Sequence, residues 1–198
     1  MKPREHGVWR ITKETASLKR IIESTQNAAT TAGLDKKQSF RIQLLAEELV
    51  EMLPGLLSFS DGEFWVEKEG KSFELHTVLS PDESLSSEKR DKLLEVSSSG
   101  KNAAVTGIMA KIRLAAYFML VDYEKNAALS DSFYMHGMAD CPQFPVQVWS
   151  LNAYKENVGQ TNGDDGDELE KSIVANLADE VIVGIQGKKV EIIVKKAF

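Results

Sequence analysis

The chain has 198 residues, 42% of them hydrophobic and 27% charged, with 24 basic against 30 acidic side chains and a net charge of −6. This is ordinary globular composition for one domain with a real core, which excludes wholesale disorder, a collagen-type fibre and a disulfide scaffold. The acidic balance argues against nonspecific nucleic-acid binding, which runs on an excess of Lys and Arg.

In chain order, Val8, Trp9 and Ile11 suggest an edge strand. A helix follows, with Leu18, Ile21, Ile22, Ala28, Ala29 and Ala32 as its apolar stripe, Thr12 as N-cap and Gly33 as the residue just past its end. Asp35 and Gln38 form a capping box for a second helix, whose stripe is Leu45, Leu49, Met52 and Leu53 and which is expected to stop at Pro54-Gly55. Gly62–Glu69 and Ser72–Leu79 alternate in period two about Gly70-Lys71, a hairpin signal. A short charged helix is expected near Glu88–Val96, and a long apolar one over Asn102–Val121. Residues 122–168 are less regular, with Phe144–Leu151 read as a strand and 159–167 as a Gly/Asp-rich loop. A helix over Glu168–Ala178, with Leu169, Ile173 and Leu177 as its stripe, precedes a second hairpin, Glu180–Gln186 and Lys189–Lys195. Helices group together and strands come as antiparallel pairs. The expected fold is therefore α+β: a two-layer α/β sandwich with helices packed on one face of a mixed, mainly antiparallel sheet, in a single domain over 1–198.

The single cysteine, Cys141, has no partner for an internal disulfide, which suits a reducing cytosol. Met1–Arg10 has no apolar signal-peptide core, and the longest apolar run, Leu114–Val121, is far short of a membrane span. The expectation is a cytoplasmic protein that does not bind membranes.

Three places could carry chemistry. Glu48 lies on the second helix beside Leu44, Leu45 and Met52, so a carboxylate borders an apolar stripe. Partial burial there would suit a general base; the alternative is a solvated glutamate paired with Arg41. Ser97-Ser98-Ser99-Gly100-Lys101-Asn102 leads into the long helix and reads either as an anion-binding turn or as ordinary capping. It is not a P-loop, since Glu95 stands where glycine would be needed and Asn102 where serine or threonine would be. The acidic run 162–168 lacks EF-hand spacing and is read as a loop. His6, His76 and His136 lie far apart without a ligand motif, so no metal site is assigned.

The helix ending in "TAGLDKK", the helix "SFRIQLLAEELVEML" and the hairpin "GEFWVEKEGKSFELHTVL" together resemble the ATPase domain of the GHKL superfamily, with histidine kinases and bacterial anti-sigma-factor serine kinases as the nearest types. The resemblance implies the same sandwich, and a second helix carrying E-x-x-x-N. Glu48 matches its glutamate, the residue that acts near the attacking group. The magnesium-binding asparagine falls on Met52. The adenine-binding aspartate falls near Leu79, with Asp82 the nearest substitute, and Ser98, Ser99, Gly100, Lys101 and Asn102 occupy the region of the second glycine box. Residues 122–178 read as a family-specific elaboration. The degenerate motifs favour a regulatory or interaction protein with no certain cofactor and a protein partner, a second copy of itself included. The alternative is an ATP-binding protein or serine kinase that uses ATP with magnesium through altered motifs.

Overall fold

Asp35 and Gln38 cap one another across a helix start. The Gln38 backbone N–H donates to Asp35 Oδ1 at 2.8 Å, and the Asp35 N–H donates to Gln38 Oε1 at 3.1 Å. The turn before them is as ordered. Gly33 adopts φ +66°, its N–H donates to the Thr30 carbonyl, and the Leu34 N–H donates to the Ala29 carbonyl. This pair of bonds satisfies the last carbonyls of one helix where a left-handed residue can reverse the chain. Two helices are thereby set side by side, α1 (Ala16–Thr31) and α2 (Lys36–Leu56). Ala28 and Ala29 are fully buried, and the Gln26 amide donates to Gln43 Oε1 across the pair at 2.6 Å.

The computed structural model describes residues 4–11, 16–56, 58–82, 112, 115–116, 119–120, 148–158, 172–186 and 188–198. Besides α1 and α2 these form β1 (Arg4–Ile11), β2 (Phe59–Glu69), β3 (Ser72–Pro81), β4 (Val148–Ser150), α3 (Leu151–Val158), α4 (Ile173–Leu177), β5 (Glu180–Gln186) and β6 (Lys189–Ala197). The strands make one six-stranded sheet in the order β1-β2-β3-β6-β5-β4. All its described pairings are antiparallel. The hairpin β2–β3 turns at Gly70-Lys71 and pairs Glu69 with Ser72, and in β5–β6 Gln186 pairs with Lys189. β1 is an edge strand with a bulge between Glu5 and Trp9.

The pleat sorts the sheet's side chains by parity. Phe64, Val66, Phe73, Leu75 and Leu79 join Val181, Val183, Val190, Ile192 and Val194 on one face. Ile21, Ile42, Leu45, Leu49 and Leu53 of α1 and α2 close over them as a single core. Residues 112, 115, 116, 119 and 120 are helical, and Ile112, Ala116, Met119 and Leu120 enter the same core. This is the α+β sandwich expected from the order of elements.

Several boundaries differ from expectation. α2 passes through Pro54 to Leu56, since burial of Val50 and Leu53 holds its last turn in place despite the missing proline N–H. The strand expected to run to Leu151 stops at Ser150, because the Ser150 hydroxyl accepts the Ala153 N–H and Glu180 Oε1 accepts the Asn152 N–H, together starting α3. The last short helix is only Ile173–Leu177, capped by Ser172, whose hydroxyl accepts the Ala175 N–H at 3.2 Å. Val174 and Ala175 turn inward there, while Ile173, expected on the stripe, is exposed and Leu177 only partly covered. Thr12, Leu169, the helix near 88–96 and the start of the long helix lie outside the described residues.

Candidate functional site

Glu48 stands in the middle of α2 and is half-buried. Leu45, one turn before it, is fully buried; Leu44 and Met52, one turn to either side, are half-buried, and Met52 packs against the core. Arg41, the alternative ion-pair partner, is exposed. Asp82 follows β3 and is exposed. Its N–H donates to the Ser58 carbonyl at 3.0 Å, and its Oδ2 accepts the Ser58 hydroxyl at 2.8 Å. Ser58 lies just beyond the end of α2, so Asp82 stands at the end of the sheet that α2 runs toward. With 1.5 Å of rise per residue, Glu48 lies about 12 Å back along the axis from Leu56. Glu48 and Met52 are thus neighbours, and Asp82 fastens the sheet corner. Ser98, Ser99, Gly100, Lys101 and Asn102 lie outside the described residues, as do the acidic run 162–168 and Cys141.

Met52 supplies no hard oxygen to a magnesium ion, which demands near-octahedral oxygen coordination, and its thioether is turned to apolar packing. The residues present do not fit that metal at this position.

The second concentration of polar groups is on the sheet face turned away from α1 and α2. Here cross-strand register aligns three rows: Glu67, Glu74, Lys195 and Glu180; Trp65, His76, Ile193 and Ile182; and Glu63, Val78, Glu191 and Gly184. His76 sits at the centre and is only 7% exposed. Its ring lies flat on Trp65, with centroids 4.8 Å apart and planes within 8°. Its Nε2 is 3.4 Å from Glu74 Oε2 and 3.9 Å from Glu67 Oε2, while Nδ1 is 3.5 Å from Glu191 Oε1. None of these approaches has hydrogen-bond geometry, and both ring nitrogens are buried without a hydrogen-bond partner. The carboxylates are otherwise engaged: Trp65 Nε1 donates to Glu67 Oε1 at 3.0 Å, and Lys195 Nζ is 3.5 Å from Glu74 Oε1.

Reading His76 in isolation misses this cluster. The signal was nevertheless present. A two-residue turn at Gly70-Lys71 pairs position 74 with 67 and 76 with 65, and Glu-x-His in a strand puts both side chains on one face. His6 lies in β1, whereas His136 is outside the described residues.

Among the described residues, no helix is long and apolar enough to cross a membrane. No protein-family model, curated protein or solved structure matches the chain.

Proposed function

We propose that this chain is a cytoplasmic regulatory or interaction protein on a histidine-kinase-like ATPase scaffold, unable to hydrolyse ATP with magnesium. The observation that carries the reading is Met52. It stands one helical turn beyond Glu48, where the resemblance requires a magnesium ligand, and it packs into apolar surroundings instead. Two further features support it. Asp82, the nearest substitute for an adenine-binding aspartate, is engaged with Ser58 at the corner of the sheet. Phe40 projects from α2 with 62% of its surface exposed, the kind of aromatic side chain that anchors protein interfaces. The partner is then another protein, a second copy of the chain included.

Half-burial of Glu48 favours one competing reading, an ATP-dependent serine kinase with Glu48 as general base and Lys101 in a phosphate-binding turn. A thermal melt with and without millimolar Mg-ATP separates the two. A ligand present at 100 times its Kd stabilises by about 2.7 kcal/mol. At roughly 2–4 °C per kcal/mol for a domain of this size, binding is readily seen. The expected result is no shift. A saturable shift that disappears in Lys101→Ala overturns the interaction reading and makes phosphate transfer, with Glu48→Gln as its control, the next assay.

A further inference from the structure

The environment of His76 is unusual in being both sealed and unfinished. A buried polar group without a partner costs about 1–3 kcal/mol, so such groups are rare unless something completes them. Here both ring nitrogens are in that state, and each faces a carboxylate beyond hydrogen-bond geometry. One ligand atom from each of Glu67, Glu74 and His76 lies within 4.8 Å of the other two.

We propose that His76 Nε2 and the Glu67 and Glu74 carboxylates bind a divalent transition-metal ion of the zinc class. The spacing suits such an ion. Bonds of 2.0–2.2 Å in a tetrahedral arrangement place neighbouring donors about 3.3–3.6 Å apart. Nε2 and Glu74 Oε2 already stand 3.4 Å apart, and Glu67 Oε2, at 3.9 Å, closes on the ion by a small side-chain rotation. The donor types choose the metal. An imidazole with two carboxylates is too nitrogen-rich for calcium or magnesium and suits zinc and its first-row neighbours.

The surroundings complete the case. Glu191 faces Nδ1, so an Nδ1–H pointed at that carboxylate leaves the Nε2 lone pair free for the ion. Such a carboxylate–histidine–metal relay would fix the ring's tautomer and orientation. Trp65 holds Glu67 by Oε1, leaving Oε2 on the side of the imidazole, and its indole buttresses the ring from one face. The ion would join β2 to β3 directly and β6 through Glu191, and with three protein donors it would keep one position for water.

The test uses the full chain, freed of metal with chelator, titrated with zinc chloride by calorimetry and checked by equilibrium dialysis with elemental analysis. No nucleotide is present, so the result is independent of the Mg-ATP melt. One equivalent is expected to bind. Glu74→Gln and Glu67→Gln should each weaken it at least tenfold, and Glu191→Gln by about 10–100-fold. Nickel at the site should quench the fluorescence of the stacked indole, and Trp65→Phe should remove that quenching. Metal-free melts of the variants establish that they fold. Because both glutamates are near the surface and the substitutions are isosteric, they keep the test valid even where His76→Gln does not fold. Absence of zinc binding up to millimolar concentration overturns the proposal. So does full retention of stoichiometry and affinity in both Glu67→Gln and Glu74→Gln, which would place the ion elsewhere.

Discussion

Gly62 and Gly33 are required for different reasons, and substitution separates them. A Cβ on Gly62 would lie 2.9 Å from Leu79 Cδ2, 3.3 Å from the Val78 carbonyl oxygen and 3.4 Å from Ile11 Cβ. The backbone carbonyl cannot step aside easily, so Gly62→Ala should cost about 1–3 kcal/mol, as overpacking does. A Cβ on Gly33 meets nothing within 4 Å, but φ is +66°. Gly33→Ala should cost about 1 kcal/mol from backbone strain alone. Asparagine distinguishes the two in urea melts. At position 33, where the left-handed region suits it, Asn should be milder than Ala; at position 62, where space is the limit, it should be worse. The opposite ranking at either site would refute the cause assigned to it.

At the scale of elements, the reciprocal cap of α2 makes a separate prediction. Asp35→Ala removes the acceptor for the Gln38 N–H and should cost about 1 kcal/mol in a chemical melt. Asp35→Asn, which keeps a side-chain oxygen, should recover most of it. This cap was legible in the sequence because its two bonds are local, Asp35 to Gln38 and back. Both hairpins were legible because their signals are local: period-two alternation about Gly70-Lys71 in the first, and the Gly187-Lys188 pair between two apolar runs in the second. What escaped was decided at longer range. α3 begins where it does because Glu180, 28 residues away, accepts the Asn152 N–H. The inward turn of Val174 and Ala175 is set by what α4 packs on, and the stripe Leu169-Ile173-Leu177 carried no record of it. Of the carboxylates around His76, Glu74 on the same strand and Glu67 across the local turn were legible, but Glu191 was not, since it reaches the ring only through the pairing of β3 with β6. Glu48 and Met52, four residues apart on one helix, were readable as neighbours; how deeply each is set was not.

At the scale of the whole molecule, the strand order determines how the pieces depend on one another. β6 follows every other described strand in sequence, yet it lies between β3 and β5. Ser72–Leu79 pairs with Val190–Ala197, so the two central strands belong to segments more than a hundred residues apart. Pairings at that separation raise contact order and slow folding. The ends of the sheet are also tied: the Asp179 carboxylate accepts the Ala197 N–H at 2.7 Å and pairs with Lys196 at 2.6 Å, and the Phe198 N–H donates to the Lys71 carbonyl. Expressed as two pieces, 1–82 and 83–198, the chain should remain largely unfolded in either half and regain a cooperative thermal transition when the halves are mixed. A full transition in one piece alone would show that the β3–β6 pairing is dispensable.

That pairing gives the molecule a seam. Each side of it carries a hairpin, β2–β3 on one and β5–β6 on the other, and no turn of the described backbone joins them. A single proteolytic nick between residues 82 and 148 would convert an intramolecular fold into a two-chain complex. Its persistence would then depend on dilution, as the persistence of any dimer does.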